Sequence, residues 1–323
     1  MAGPPIPFDD LHAALGLCWT VTAVPWEPDP ARWPLYARDA FLIPTGRLFG
    51  LSLREIHPPE AARGLPDHDE FRQHFDASYR PLILRALEHG QSVLAWGGWD
   101  RGRELMWGLI RETCAEGVGF RGLIHRAGAP PATAAICAAA PSEGEAEPAL
   151  LAGPAVQVYV VEDVTPATPS ADDLLGLALD HARRTISNEL HDRLGVLTGP
   201  TALDLWARRL STAHPSEAEK FIGSDAMRCL FRQAVFDHDT VIRFLQTRGA
   251  GRATTCVHDI PALIEVYTEL AGILRALADV CPVDSVLLSA VDAKRMADRL
   301  ARVGKLSVQI GSTLAGPIAT PRH

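Results

Sequence analysis

The feature that most constrains the fold is a change of pattern near residue 165. Six of the seven tryptophans (Trp19, Trp26, Trp33, Trp96, Trp99 and Trp107) fall in the first 107 residues, among prolines, glycines and short β-type runs. From about Ser170 onward apolar residues recur at three- and four-residue spacing almost without a break, and only Trp206 remains. The Pro/Thr-rich stretch 164–169 between the two patterns is the expected boundary. The pattern predicts an α+β portion over residues 1–165 with a small, mainly antiparallel sheet. An all-helical domain over 170–308 follows it, with 309–323 as a frayed tail.

Composition narrows the function classes. At 323 residues, 47% hydrophobic and 22% charged, the chain has the make-up of an ordinary globular protein with a substantial core. A net charge of −8 and the absence of any Lys/Arg run argue against nucleic-acid binding, which needs a basic face. Lys220, Lys294 and Lys305 are the only lysines, and this Arg preference, with abundant Ala and Pro, reads as a GC-rich bacterial genome. The N-terminus has neither a basic n-region nor an apolar h-region, and no run approaches 18 apolar residues. The six cysteines are dispersed without a CxxC pair, as free and mostly buried thiols would be. A cytoplasmic protein without a membrane span is the expectation.

Along the first portion, Leu11, Ala14, Leu15 and Cys18 give residues 8–18 the spacing of a short amphipathic helix. Pro25, Pro28, Pro30 and Pro34 then impose extended or turn geometry. Residues 36–54 are ambiguous, with Ala40–Ile43 strand-like. The stretch Asp69–His89 reads as helix up to Gly90, with Pro81 marking a kink or a break into two helices. Strands are expected at Gln91–Trp96, at Leu105–Arg111 and, most clearly, at Ala155–Val161. Residues 97–102 and 117–122 read as glycine-rich turns and 139–154 as loop. In the second portion, Ser170 with Asp173 forms a capping box for a helix to about Leu190. Further helices follow from about Gly199, Ser224, Pro261 and Ser285.

Signatures that name a reaction are weak. Gly117–Gly122 matches GxGxxG, but the following residues include Gly128, Pro130 and Pro131, which suit no long helix, so a glycine-rich turn is the better reading and no cofactor is expected. Asp237-His238-Asp239 cannot converge on one metal from a helix, since adjacent residues point about 100° apart. It reads as a solvated helix face, as do His181 and His191. His57, His68 and His74 lie too loosely to specify a site, and no metal is expected. Cys18 is the one candidate nucleophile, which would need a nearby base and an oxyanion donor; its alternative reading is a small buried core residue.

The order of elements carries a resemblance. A Cys-bearing helix is followed by a helix ending in Leu87-Glu88-His89-Gly90, then by strands at Gln91–Trp96 and Leu105–Ile110. This resembles the papain-like superfamily, in particular the bacteriocin-processing cysteine peptidases and the butirosin-type acyltransferases. The helical region with Gly199-Pro200-Thr201-Ala202-Leu203 is similar to the helical half of the latter. The match is best over residues 75–162. It implies a papain-like N-terminal domain with a catalytic histidine at the head of the second strand, near Arg103–Met106, where this chain has none. His125 stands one strand later. The first functional expectation is therefore a non-catalytic ligand-binding or accessory protein, with Trp96, Trp99 and Trp107 walling a site for a small apolar or aromatic ligand. The second is a thiol peptidase or acyltransferase using Cys18 as nucleophile and His125 as base. The third is an interaction protein forming a homodimer through its helical half.

Overall fold

In a computed structural model of the chain the described residues are 6–16, 18–19, 21–23, 39–56, 68–100, 107–114, 119–125, 146–151, 153–155, 157–165, 167–187, 197–212, 225–250, 259–280 and 290–315. They belong to two compact units, a sheet unit (Ala37–Ala135, Ala139–Thr168 and Met1–Gly3) and a helical unit (Pro4–Tyr36, Ile136–Ala138 and Pro169–His323). The change at Thr168/Pro169 falls beside the expected boundary. Residues 4–36, however, group with the helices. The reason is physical: helix α1 (Phe8–Ala14) is clamped to the helical unit by ion pairs, and strand β1 (Thr22–Ala23) finds its partner there.

In the sheet unit the elements run α2 (Asp39–Leu48), β2 (Leu51–Glu55), α3 (His68–His74), a π-helical turn (Phe75–Tyr79), α4 (Arg80–Glu88), β3 (Ser92–Trp96), β4 (Trp107–Thr113), β5 (Phe120–His125), β6 (Ala146–Leu151) and β7 (Gln157–Val164). The six strands form one sheet in the order β2-β7-β3-β4-β5-β6, antiparallel at every pair. Three local expectations change. Ala40–Ile43 is helix rather than strand, because Phe41, Thr45 and Phe49, four apart, are all buried. The glycine-rich turn and the loop expected after it give way in part to strands: Phe120–His125 and Ala146–Leu151 pair with each other in full register. The break at Pro81 is absorbed by the π turn, where the Arg80 N–H reaches back five residues to the Phe75 carbonyl.

Helix α4 ends as its sequence specifies. Gly90 takes φ 72°, its N–H bonds to the Leu87 carbonyl, and the Gln91 N–H bonds to the Ala86 carbonyl. This pair of bonds is a Schellman cap, for which glycine avoids the left-handed Cβ clash. It sends the chain straight into β3. Ile83, Ala86, Phe75 and Tyr79 then cover one face of the sheet, meeting Val93, Ala95, Ile110, Phe120, Ile124, Val158 and Val160 in a single apolar core.

The helical unit contains α5 (Ala171–Ile186), β8 (Leu197–Thr198), α6 (Gly199–Thr212), α7 (Asp225–Arg248), α8 (Ile260–Val280) and α9 (Ala290–Leu314). The Ser170 hydroxyl accepts the Asp173 N–H at 3.1 Å, the expected cap. Helices α7 and α8 pack together, as do α6 and α9, around Trp206, Phe231, Phe244, Tyr267 and Leu300. The expected fraying from residue 309 is corrected. Helix α9 continues to Leu314 because Leu306, Ile310 and Leu314 extend its buried stripe. Among the described residues no helix is long and apolar enough to cross a membrane.

Candidate functional site

Side chains alternate across a strand, so the sheet has a second face opposite its helix-covered one. Trp96 and Trp107 stand directly opposite each other there in the β3–β4 register, with ring centroids 6.5 Å apart. Tyr159 of β7 joins them, 6.0 Å from Trp107. Trp96 and Tyr159 are buried and Trp107 is half-buried. The Gln157 amide donates to the Tyr159 hydroxyl at 2.6 Å and to Glu55, placing a polar group at the edge of the aromatic cluster.

Trp99 is not part of this wall. After the Gly97-Gly98 turn it crosses to the helix-covered face, where it belongs to the core. Its indole lies flat on two glycines. A Cβ on Gly108 would come within 2.2 Å of the ring, and one on Gly122 within 2.8 Å. The indole Nε1 donates to the Ala95 carbonyl at 3.3 Å. The three expected tryptophans thus divide, two on one face and one on the other.

The same second face carries a hollow of about 700 Å³ at the β4–β5–β6 end of the sheet. Arg111, Glu112, Arg121, Leu123, Pro148 and Leu150 line it. A β-bulge builds its polar wall. Ile110 pairs with Gly122 and Glu112 with Arg121, so Arg111 is an extra residue without a partner in the register. The bulge suspends the alternation, and consecutive residues Arg111 and Glu112 line one hollow. Among the described residues neither guanidinium has a carboxylate partner, although Glu112 faces Arg121 across the ladder. Asp100, also at the rim, is engaged by the backbone: its carboxylate accepts the Leu150 N–H at 3.0 Å. Sequence reading missed Arg111, Arg121, Tyr159 and Gln157. A bulge has no sequence signature here, and the only hint was the charged pair Arg111-Glu112 breaking an apolar alternation.

Cys18 and His125 belong to different units. Cys18 is in the helical unit, fully buried, and it follows the C-terminal end of α1 rather than standing at a helix N-terminus. Beside it, Trp19 packs edge-on against Phe244 and Tyr267, and its Nε1 donates to the Ala13 carbonyl at 2.9 Å. Burial, with a smaller contribution from Cys18, pushes the Tyr267 phenol well above its usual range. The hydroxyl therefore stays protonated and donates to the Trp19 carbonyl at 3.1 Å. His125 is the last residue of β5 in the sheet unit, paired with Ala146.

The remaining candidates are structural. Asp237 and His238 are buried, which corrects the reading of a solvated face. Asp237 accepts from His12 Nε2 at 3.1 Å and from the Gln233 amide at 2.9 Å. His238 bonds the Ala234 carbonyl through Nδ1, and its ring meets Tyr267 at 5.5 Å. Asp239 points away to Arg275, so the triplet indeed does not converge. His181 is also buried rather than solvated, with Nδ1 2.6 Å from the Ala14 carbonyl. Because a carbonyl only accepts, Nδ1 carries the proton. Desolvation lowers the His181 pKa, against the raising effects of the Ala14 bond and Asp180. His74 packs edge-on against Tyr79, while His57 and His191 lie outside the described residues. Gly119 leads into β5 rather than a helix, which removes the structural context a dinucleotide turn needs. Among the described residues no cluster of three His, Cys, Asp or Glu side chains could hold a metal. No protein-family profile matches the chain, and no curated protein matches it.

Proposed function

We propose that the protein is a non-catalytic, papain-like ligand-binding or accessory protein of the bacterial cytoplasm, with its ligand on the second face of the sheet beside Trp107. The observation that carries this reading is the head of β4. The resemblance calls for a histidine near Arg103–Met106, positions that hold none in the sequence and lie outside the described residues, and β4 opens at Trp107, in ring contact with Trp96 and Tyr159. Aromatic faces in place of a base offer contact area for an apolar or aromatic ligand and no proton transfer. The thiol supports the same reading, since Cys18 is fully buried beyond a helix C-terminus, whereas reactive cysteines are reached by solvent in electropositive surroundings.

The test is alkylation of each cysteine in the native protein across pH, resolved by peptide mass spectrometry. Cys18 is expected to stay unlabelled until the protein unfolds. Labelling of Cys18 well below the ordinary thiol pKa of about 8.5, abolished by His125→Ala, would replace this reading with that of a thiol enzyme.

A further inference from the structure

We infer that the hollow on the second face of the sheet binds a small organic anion, a carboxylate carried on an apolar body. The inference rests on the ligand-binding reading above and adds to it the chemical class. The bulge is the first ground: bulges recur beside binding sites because they re-aim side chains, and this one adds Arg111 to a wall that already holds Arg121. Charge is the second. The chain carries a net −8, yet this hollow concentrates two guanidiniums that have no carboxylate partner among the described residues. Among the described residues the carboxylates at its rim are Asp100, which accepts the Leu150 N–H, and Glu112. A guanidinium fork matches the two oxygens of a carboxylate.

Shape gives the rest of the ligand. About 700 Å³ is the size of a small-molecule site, and Leu123, Pro148 and Leu150 supply apolar lining. Leu109, opposite Leu123 in the register, continues that surface along β4 to Trp107. Arg111 lies four positions along β4 from Trp107, roughly 13 Å at about 3.3 Å per residue. An acid with its head at the arginines thus has Leu123, Pro148 and Leu150 for its apolar body, with Trp107 further along the same face of β4.

The probes are 5-phenylpentanoate, 5-phenylpentanol and 5-phenylpentylamine, titrated against the full chain by saturation-transfer NMR and tryptophan fluorescence. The acid is expected to bind about tenfold more tightly than the alcohol or the amine. Arg111→Ala and Arg121→Ala should each weaken it by about tenfold, and Glu112→Gln should tighten it. Equal binding of the three probes, or acid binding untouched by both arginine substitutions, overturns the inference and leaves the ligand-binding reading standing. If none of the three binds to the protein and tryptophan emission does not move, the ligand-binding reading falls and the inference with it.

Discussion

The two units differ in where their most distinctive charged clusters sit. In the helical unit such a cluster is locked between two helices. Arg243 grips Asp9 through two nitrogens at 3.0 and 2.9 Å, Arg248 grips Asp10, and His12 reaches the buried Asp237, so three successive contacts fasten α1 to α7. The hydrogen bonds to Asp9 and Asp10 raise the pKa of both arginines above its ordinary value. In the sheet unit Arg111, Glu112 and Arg121 stand around an open hollow without ion pairs among the described residues. Groups that are buried and satisfied hold a fold together, while exposed groups gathered at a bulge remain available to something else. The lesson is that the polar cluster most conspicuous in the sequence, Asp237-His238-Asp239, serves as a fastener, while the inconspicuous Arg111, Glu112 and Arg121 line the proposed site.

The largest effect that could break this comparison belongs to Asp237→Ala. The substitution leaves the His12 and Gln233 donors without their acceptor in a buried setting. We expect a loss on the order of 3 kcal/mol of stability, read from the denaturant midpoint with unchanged slope. A loss below about 1 kcal/mol would mean that the buried contacts to α1 do not fasten the unit.

How much of this was legible follows from the range of the forces involved. Helices α5 to α9 were readable because their stripes and the Ser170–Asp173 cap are local. Strands β3 and β7 were readable from β-branched and aromatic runs bounded by turns. Strands β5 and β6 were missed because they are built of Gly122, Ala149 and Pro148 as much as of large residues. The volume that Gly122 lacks is taken by Trp99, a side chain from elsewhere in the sequence. The same turn at Gly97-Gly98 put Trp99 on the wrong face for a wall with Trp96. Asp237 and His238 looked solvated because the partner of the first, His12, lies 225 residues away. The hollow depended on one inserted residue in a ladder, which no period reveals.

A smaller effect concerns pH. His181 is neutral in the fold, with a pKa lowered chiefly by desolvation from its ordinary value of 6.5. Above about pH 6.5 both folded and unfolded states are neutral at this residue, so it adds no pH dependence. Below that, the unfolded chain takes up a proton that the folded chain refuses, and stability falls as pH falls. His181→Asn supplies an amide N–H for the Ala14 carbonyl and cannot titrate. The wild type should therefore lose more stability than this variant between pH 7.5 and 5.5, measured by thermal unfolding at each pH. Equal losses would mean that His181 is protonated inside the folded unit, and its assignment as a neutral buried donor to Ala14 would need revision.

The smallest expected effect is the most discriminating. Arg111→Ala and Arg121→Ala should each shift the unfolding free energy by no more than about 0.5 kcal/mol, because exposed side chains without a buried partner contribute little to folding. Both residues are exposed, and their strands are held by ladder bonds and by the core on the opposite face. Near-neutrality here beside a large loss at Asp237 would set the two units apart as the geometry suggests. A loss above about 1 kcal/mol at either arginine would show that the guanidiniums hold the bulge in place. They would then be fasteners like those of α1, and the division of labour between the units would disappear.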